Sequence, residues 1–146
     1  MDEQTLIIVA VAVLIVYDIG LLFFFKYRLS ILDKLKSTDA STAKATVIKC
    51  ASVKSKNTHQ WRITYQFRSW DGKEWQNARS VSHSLLPELA EGDTIEVTYL
   101  TQAPQTNYPV LGLDGQRKLF KTLIKLIPLA MVGVLGALGV YFAVTA

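Results

Sequence analysis

Apolar residues concentrate in two long blocks, one near each end of the chain, and the stretch between them is mixed. The first block runs from Thr5 to Phe25 with one charged residue, and the second runs from Leu126 to Ala146 with none. Each block has 21 residues. As an α-helix, that length reaches about 31 Å and matches a hydrocarbon core of about 30 Å. We therefore predict two transmembrane helices, over residues 1–25 and 126–146.

The flanks of the two blocks predict how the chain lies in the membrane. A cleavable signal peptide begins with a basic region and ends at small residues. This segment begins Met-Asp-Glu-Gln and is followed by Lys-Tyr-Arg, so we interpret it as a retained anchor. Lys and Arg stay on the cytoplasmic side of a span. Since none precedes Thr5 and none follows Leu126, both termini are predicted outside and the central domain in the cytoplasm.

Two basic amphipathic segments are predicted beside the spans, over residues 26–41 and 114–125. Apolar residues at helical spacing alternate there with lysine and arginine, which is typical of a helix lying among lipid headgroups. Continuation of the spans as straight helices is the alternative, although Pro128 should bend or break the second one. The second segment is expected to bind anionic lipid headgroups through Arg117, Lys118, Lys121 and Lys125.

Between these segments the period of the pattern changes to two, which predicts a cytoplasmic β domain over residues 42–113. Its clearest strand has bulky apolar residues at alternate positions from Trp61 to Phe67. Asp71-Gly72 follows as a hairpin turn. One or two helical turns are expected from Ser84 to Glu91, and a turn is expected at Gly92-Asp93. The predicted fold class is an α+β membrane protein. Two transmembrane helices flank a small antiparallel β domain of about four or five strands, arranged as a meander or a barrel-like sandwich.

The order of these features resembles a known family. The features are Ala-Thr-Val at 45–47, Tyr65-x-Phe67 before Asp71-Gly72, the run Gly92-Asp93-x-x-x-Val97-x-Tyr99-Leu100, Pro104 and a closing span. The chain is similar to the bacterial membrane proteins grouped as the domain of unknown function 3592, over about residues 40–110 plus the two-span layout. This resemblance implies a small β domain on anchors in the bacterial inner (plasma) membrane. It supplies no catalytic residues.

The charge distribution argues against a nucleic-acid partner. The chain has a net charge of +4, but the stretch from Ala45 to Gln116 has seven basic and seven acidic residues. A nucleic-acid binder would place its positive charge on that domain, whereas here the whole excess of +4 lies outside this stretch. We therefore expect no nucleic-acid partner.

No pattern of a catalytic or metal site stands out. Cys50, His59 and His83 lack the close spacing of zinc ligands, and no nucleophile elbow or phosphate-binding glycine loop is present. Cys50 lies in an alternating pattern and is interpreted as a small buried residue. We expect no metal, no cofactor and no small-molecule substrate, and we predict that the protein is not an enzyme.

The spans carry features that simple anchors do not need. Asp18 within the first span costs at least about 2.5 kcal/mol unless it is paired or protonated. It is expected to make an intramembrane polar contact, either with Lys121 or Lys125 of the same chain or with another subunit. The second span has a face of small residues that lets helices approach closely, formed by Gly133, Gly136, Ala137, Gly139 and Ala143.

These features favour a non-enzymatic interaction protein. Trp70 and Trp75 bracket the predicted hairpin turn and form either an exposed partner surface or a cross-strand pair. The expected partners are membrane lipids and another membrane protein or a second copy of the chain. We interpret the chain as an accessory subunit of a larger membrane complex. The alternative is an immunity protein against a membrane-active toxin, and a small transporter component or an enzyme is a remote alternative.

Overall fold

A computed structural model describes residues 3–55, 58–82 and 89–145 of the chain. His83 and most of the short helix predicted from Ser84 to Glu91 lie outside the described residues. The chain divides into two compact units, one of residues 31–117 and one of residues 1–30 with 118–146. Its elements in order are α1 (Glu3–Lys34), β1 (Ala40–Ser55), β2 (Thr58–Arg68), β3 (Glu74–Ser82), β4 (Thr94–Leu100), β5 (Ala103–Pro109) and α2 (Val110–Thr145).

Both helices are longer than the predicted spans. Residues 26–34 belong to α1. Helix α2 includes residues 110–113, which were predicted in the β domain, as well as residues 114–125, and it continues through Pro128. By length and composition, the two helices are able to cross a membrane. In the most apolar stretch of each helix, no residue is buried. Within this unit, the rings of Phe25 and Phe120 lie 5.6 Å apart between centroids.

The end of α1 is closed by local hydrogen bonds. The backbone N–H of Leu35 donates to the carbonyl of Ile31 at 3.1 Å, and that of Ser37 donates to the carbonyl of Lys34 at 3.0 Å. The Ser37 hydroxyl also donates to the Lys34 carbonyl, at 2.7 Å. These bonds satisfy carbonyls that a helix end otherwise leaves without partners. The chain then turns within a few residues into β1.

The five strands form one antiparallel sheet in the order β3-β2-β1-β4-β5. The antiparallel β domain is therefore confirmed, although β4 pairs with β1 and not with β3, so the sheet is not a simple meander. The long strand β1 pairs with β4 from Ala40 to Thr46 and with β2 from Ala45 to Ser55. A register shift between Val47 and Lys49 marks a bulge. A bulge bends its strand, which lets one strand serve both halves of the sheet.

The two edge strands, β3 and β5, meet through side chains. Because every neighbouring pair is antiparallel, β3 and β5 run in the same direction. The Tyr108 hydroxyl donates to the carbonyl of Ser80 at 3.1 Å, and Asn77 Nδ2 donates to Asn107 Oδ1 at 3.1 Å. The sheet therefore curls into a small, nearly closed barrel whose seam is joined by side chains.

The barrel encloses one hydrophobic core, to which every strand from β1 to β4 contributes. The alternation predicted for β2 is confirmed, since Ile63, Tyr65 and Phe67 all point inward and are buried. Both predicted turn glycines have positive φ angles, 82° at Gly72 and 91° at Gly92, a conformation that glycine adopts without strain. The buried core residues are Ala45, Val47, Ile63, Tyr65, Phe67, Val81, Ile95, Val97 and Tyr99.

Candidate functional site

The outer face of β4 and β5 is covered by the chain segments that enter and leave the sheet. Thr98 lies between the core residues Val97 and Tyr99, so its side chain points to the opposite face. It is nevertheless buried, and its hydroxyl donates to the carbonyl of Leu35 at 2.8 Å. The entering and leaving segments bury three leucines of their own, Leu32, Leu35 and Leu113. Both faces of this part of the sheet therefore carry packed side chains.

Four charged residues tie the two segments together. Arg117 Nε donates to Asp33 Oδ1 at 2.8 Å, and Lys36 Nζ donates to Asp114 Oδ1 at 2.7 Å. A weaker contact of 3.5 Å joins Arg117 to Asp114. The hydrogen bond from Lys36 holds the pKa of Asp114 below its ordinary value, and the bond to Asp33 raises the pKa of Arg117. We call these four residues the ion cluster, and its charges cancel.

The four basic residues predicted to contact lipid headgroups have two different environments. Arg117 belongs to the ion cluster, and its side chain is only 23% exposed, so its charge is already matched by carboxylates. Lys118, Lys121 and Lys125 are exposed and have no ion pair among the described residues. Their contact with anionic headgroups stays a prediction, and it rests on three side chains instead of four.

The small-residue face of α2 is open. A Cβ atom added at Gly133, Gly136 or Gly139 would meet nothing within 4 Å, and Ala137 and Ala143 are exposed. This face therefore does not pack against another part of the described chain.

Asp18 is half-buried in α1. In the part of the chain that the structure describes, it forms no ion pair with Lys121 or Lys125. A polar contact from Asp18 to another subunit stays a prediction.

The two tryptophans beside the β2–β3 turn differ in exposure. Trp75 packs against the core, and its indole N–H donates to Ser69 Oγ at 2.9 Å. Trp70 is 70% exposed. Its backbone N–H donates to the Tyr99 hydroxyl at 3.0 Å, and its indole N–H donates to the carbonyl of Thr101 at 3.1 Å. The two tryptophans do not form one exposed patch. Trp70 alone is an exposed aromatic residue at the end of the barrel, and its two hydrogen bonds fix its position.

An open cleft of about 560 Å³ lies beside the β4–β5 turn. One wall comes from the end of α1 and the following turn, and the other comes from the turn that Trp70 contacts. The backbone N–H of Thr101 donates to the Asp39 carbonyl at 3.1 Å and joins the two walls. No sequence motif indicated this cleft, because its walls are far apart in the chain. It is lined by Lys34, Thr38, Asp39, Leu100, Thr101, Gln102 and Ala103.

The described residues include no group of three or more His, Cys, Asp or Glu side chains able to hold a metal ion. The side chain of His59 and all of His83 lie outside this description. Cys50 is half-buried, and burial raises the pKa of its thiol, with further contributions from Glu91 and Asp93. A raised pKa keeps the thiol protonated at neutral pH and lowers its reactivity as a nucleophile.

Comparison of the chain with protein-family models, with curated proteins and with solved structures finds no match in any of the three. The resemblance to the domain of unknown function 3592 therefore stays a prediction.

Proposed function

We propose that the chain is a non-enzymatic accessory subunit of a larger membrane protein complex, anchored by α1 and α2 in the bacterial inner membrane. Its termini lie outside and its β domain lies in the cytoplasm. The observation that carries this proposal is the uncovered surface of the two apolar helices, including the open small-residue face of α2.

The exposed apolar area supports membrane anchorage. Val13, Val16 and Phe23 of α1 are each more than 60% exposed, as are Leu129 and Val132 of α2. Each such side chain in water forgoes roughly 1.5–3 kcal/mol of burial free energy. A bilayer removes this apolar surface from water along both helices without requiring the two helices to cover each other.

Two features of the spans support a helical partner. Lipid tails are as apolar as leucine, so helices associate in a bilayer by close packing, which small residues allow. The face that includes Gly133, Gly136 and Gly139 is available for such packing. Asp18 adds an intramembrane carboxylate, which is costly unless a partner supplies a hydrogen bond or a charge. A second membrane helix, from another protein or another copy of this chain, provides both contacts.

We expect Gly136→Leu to reduce partner recovery at least fivefold when the tagged full-length chain is cross-linked in membranes and purified in mild detergent. The leucine side chain would hold the two helix backbones apart. Val134→Leu is the matched control, since it adds one methylene about 200° around the helix at about 100° per residue. Its partner recovery should equal that of the unsubstituted chain.

Asp18→Asn, which keeps the shape and removes the charge, tests the second contact in the same preparation. We expect it to lower partner recovery without changing the amount of chain in the membrane. Recovery of the unsubstituted chain only as a free monomer would contradict the proposed function. Equal losses from Gly136→Leu and Val134→Leu would show that the small-residue face is not the contact.

A further inference from the structure

Some charged residues on the segments that enter and leave the sheet lie outside the ion cluster. Residues 31–40 and 110–117 contain six charged side chains, of which the ion cluster accounts for four. The other two are Lys34 and Asp39, and neither forms an ion pair among the described residues. Both line the cleft beside the β4–β5 turn. The cleft thus holds one unpaired cation and one unpaired anion.

The geometry of the cleft suits a ligand that carries both charges. Lys34 and Asp39 do not approach within the 4.0 Å of an ion pair, so space remains between their charged groups. The volume of about 560 Å³ falls in the range of small-molecule sites, roughly 300–1,000 Å³. Thr38, Thr101 and Gln102 add hydroxyl and amide groups to the lining.

We propose that this cleft binds the phosphoethanolamine headgroup of a membrane lipid, with Lys34 at the phosphate and Asp39 at the primary ammonium. This inference rests on the proposed membrane anchorage, because it takes the ligand from the bilayer. Lys34 follows Phe25, the last residue of the first apolar block, by only nine positions. The cleft therefore begins close to a span along the chain.

The lining discriminates against other headgroups. A quaternary ammonium is recognised by aromatic faces, whereas the seven residues that line the cleft include no aromatic side chain. A headgroup with a phosphate and no ammonium would leave Asp39 facing a like charge without compensation. Phosphocholine and phosphoglycerol headgroups are therefore expected to bind more weakly than phosphoethanolamine.

The first experiment titrates glycerophosphoethanolamine into the full-length chain in non-ionic detergent micelles. Its readout is the NMR shift of the Thr101 backbone amide, which donates to Asp39 across the cleft. Lys34→Gln and Asp39→Asn should each weaken binding at least tenfold. Lys44→Gln and Glu96→Gln are matched controls, because these residues are exposed on the sheet and lie outside the cleft lining. Both controls should bind as the unsubstituted chain does.

The second experiment separates a lipid source from a free zwitterion. The chain is placed in nanodiscs of phosphatidylethanolamine, phosphatidylglycerol or phosphatidylcholine, and the lipid retained after release is counted by native mass spectrometry. Preferential retention of phosphatidylethanolamine, lost in Asp39→Asn, is expected. Glycine binding as tightly as glycerophosphoethanolamine would overturn the lipid assignment, and so would equal retention of the three lipids. A chain that enters nanodiscs without this selectivity contradicts the cleft proposal alone. A chain that does not enter them contradicts the anchorage.

Discussion

Asn107→Ala is expected to lower the free energy of unfolding of the β domain by about 3 kcal/mol. Asn107 is 2% exposed. Its Oδ1 accepts hydrogen bonds from the Tyr65 hydroxyl at 2.7 Å and from Asn77 Nδ2 at 3.1 Å. Its Nδ2 donates to the carbonyls of Pro104 and Gln105, at 2.9 and 3.2 Å. All four bonds of the amide are made, and the one from Asn77 crosses the seam between β3 and β5.

The loss is large because alanine would leave a buried polar atom without its partner. Tyr65 has no exposed surface, and burial raises the pKa of its hydroxyl, so the group stays protonated and needs an acceptor. An unsatisfied buried group costs about 1–3 kcal/mol. The seam has no backbone ladder to compensate, since β3 and β5 are not paired strands.

Thermal unfolding of the full chain in detergent, followed by near-UV circular dichroism, measures this loss. About 3 kcal/mol corresponds to a fall in Tm of roughly 15 °C for a domain of this size. Gln105→Ala is the matched control on the same strand, because the Gln105 side chain is exposed and only its backbone carbonyl is used. It should change Tm by less than about 3 °C. An equally small change for Asn107→Ala would contradict the role of the seam.

Gly112→Val is expected to destabilise the domain by about 2–3 kcal/mol. Gly112 lies in the first turn of α2, where a Cβ atom would come within 2.9 Å of Val81 Cγ1 and 3.1 Å of Tyr108 Cε1. Val81 is buried in the core, and its branched side chain has few alternative rotamers. Overpacking there would push the start of α2 away from β3.

A double-mutant cycle tests whether the close approach is the cause. Val81→Ala opens space at the same point, so the double variant with Gly112→Val should lose at least about 1 kcal/mol less than the sum of the single losses. Gly20→Val is the control for valine in a helix, because a Cβ atom at Gly20 meets nothing within 4 Å. Strict additivity at positions 112 and 81 would contradict this contact, and so would an equal loss in the domain from Gly20→Val.

Local patterns were sufficient to predict the two long apolar helices and the strand β2, although both helices extend beyond the apolar blocks. The two helices were predicted from the length of the apolar blocks and their near lack of charged residues. Strand β2 was predicted from the alternation of Ile63, Tyr65 and Phe67 with polar residues. The turn glycines, Gly72 and Gly92, were readable because few residues other than glycine adopt positive φ angles. Each of these patterns is formed by residues that are close together in the sequence.

The features missed by the sequence analysis depend on contacts between distant residues. Alternation with the core residues Val97 and Tyr99 places Thr98 on the outer face of the sheet, but it does not show that Leu35, 63 residues away, accepts its hydrogen bond there. The ion cluster joins Asp33 to Arg117 across 84 residues, and the cleft likewise combines residues near the end of α1 with residues of the β4–β5 turn. Periodicity carries no information about which strand lies beside β1 or which loop faces the end of α1. The side chains that close the barrel seam were unrecognisable for the same reason.

The side of the membrane on which the β domain lies tests the proposed function most directly. In a Cys50→Ser background, Lys73→Cys places a thiol on the exposed β2–β3 turn, and Gln4→Cys places one at the start of α1. Intact spheroplasts are treated with a membrane-impermeant maleimide, and the membranes are then extracted with alkaline carbonate. We predict that the chain resists extraction, that Gln4→Cys reacts in intact spheroplasts, and that Lys73→Cys reacts only after permeabilisation. Reaction of Lys73→Cys in intact spheroplasts would contradict the proposed topology, and release of the chain by carbonate would contradict the membrane anchorage.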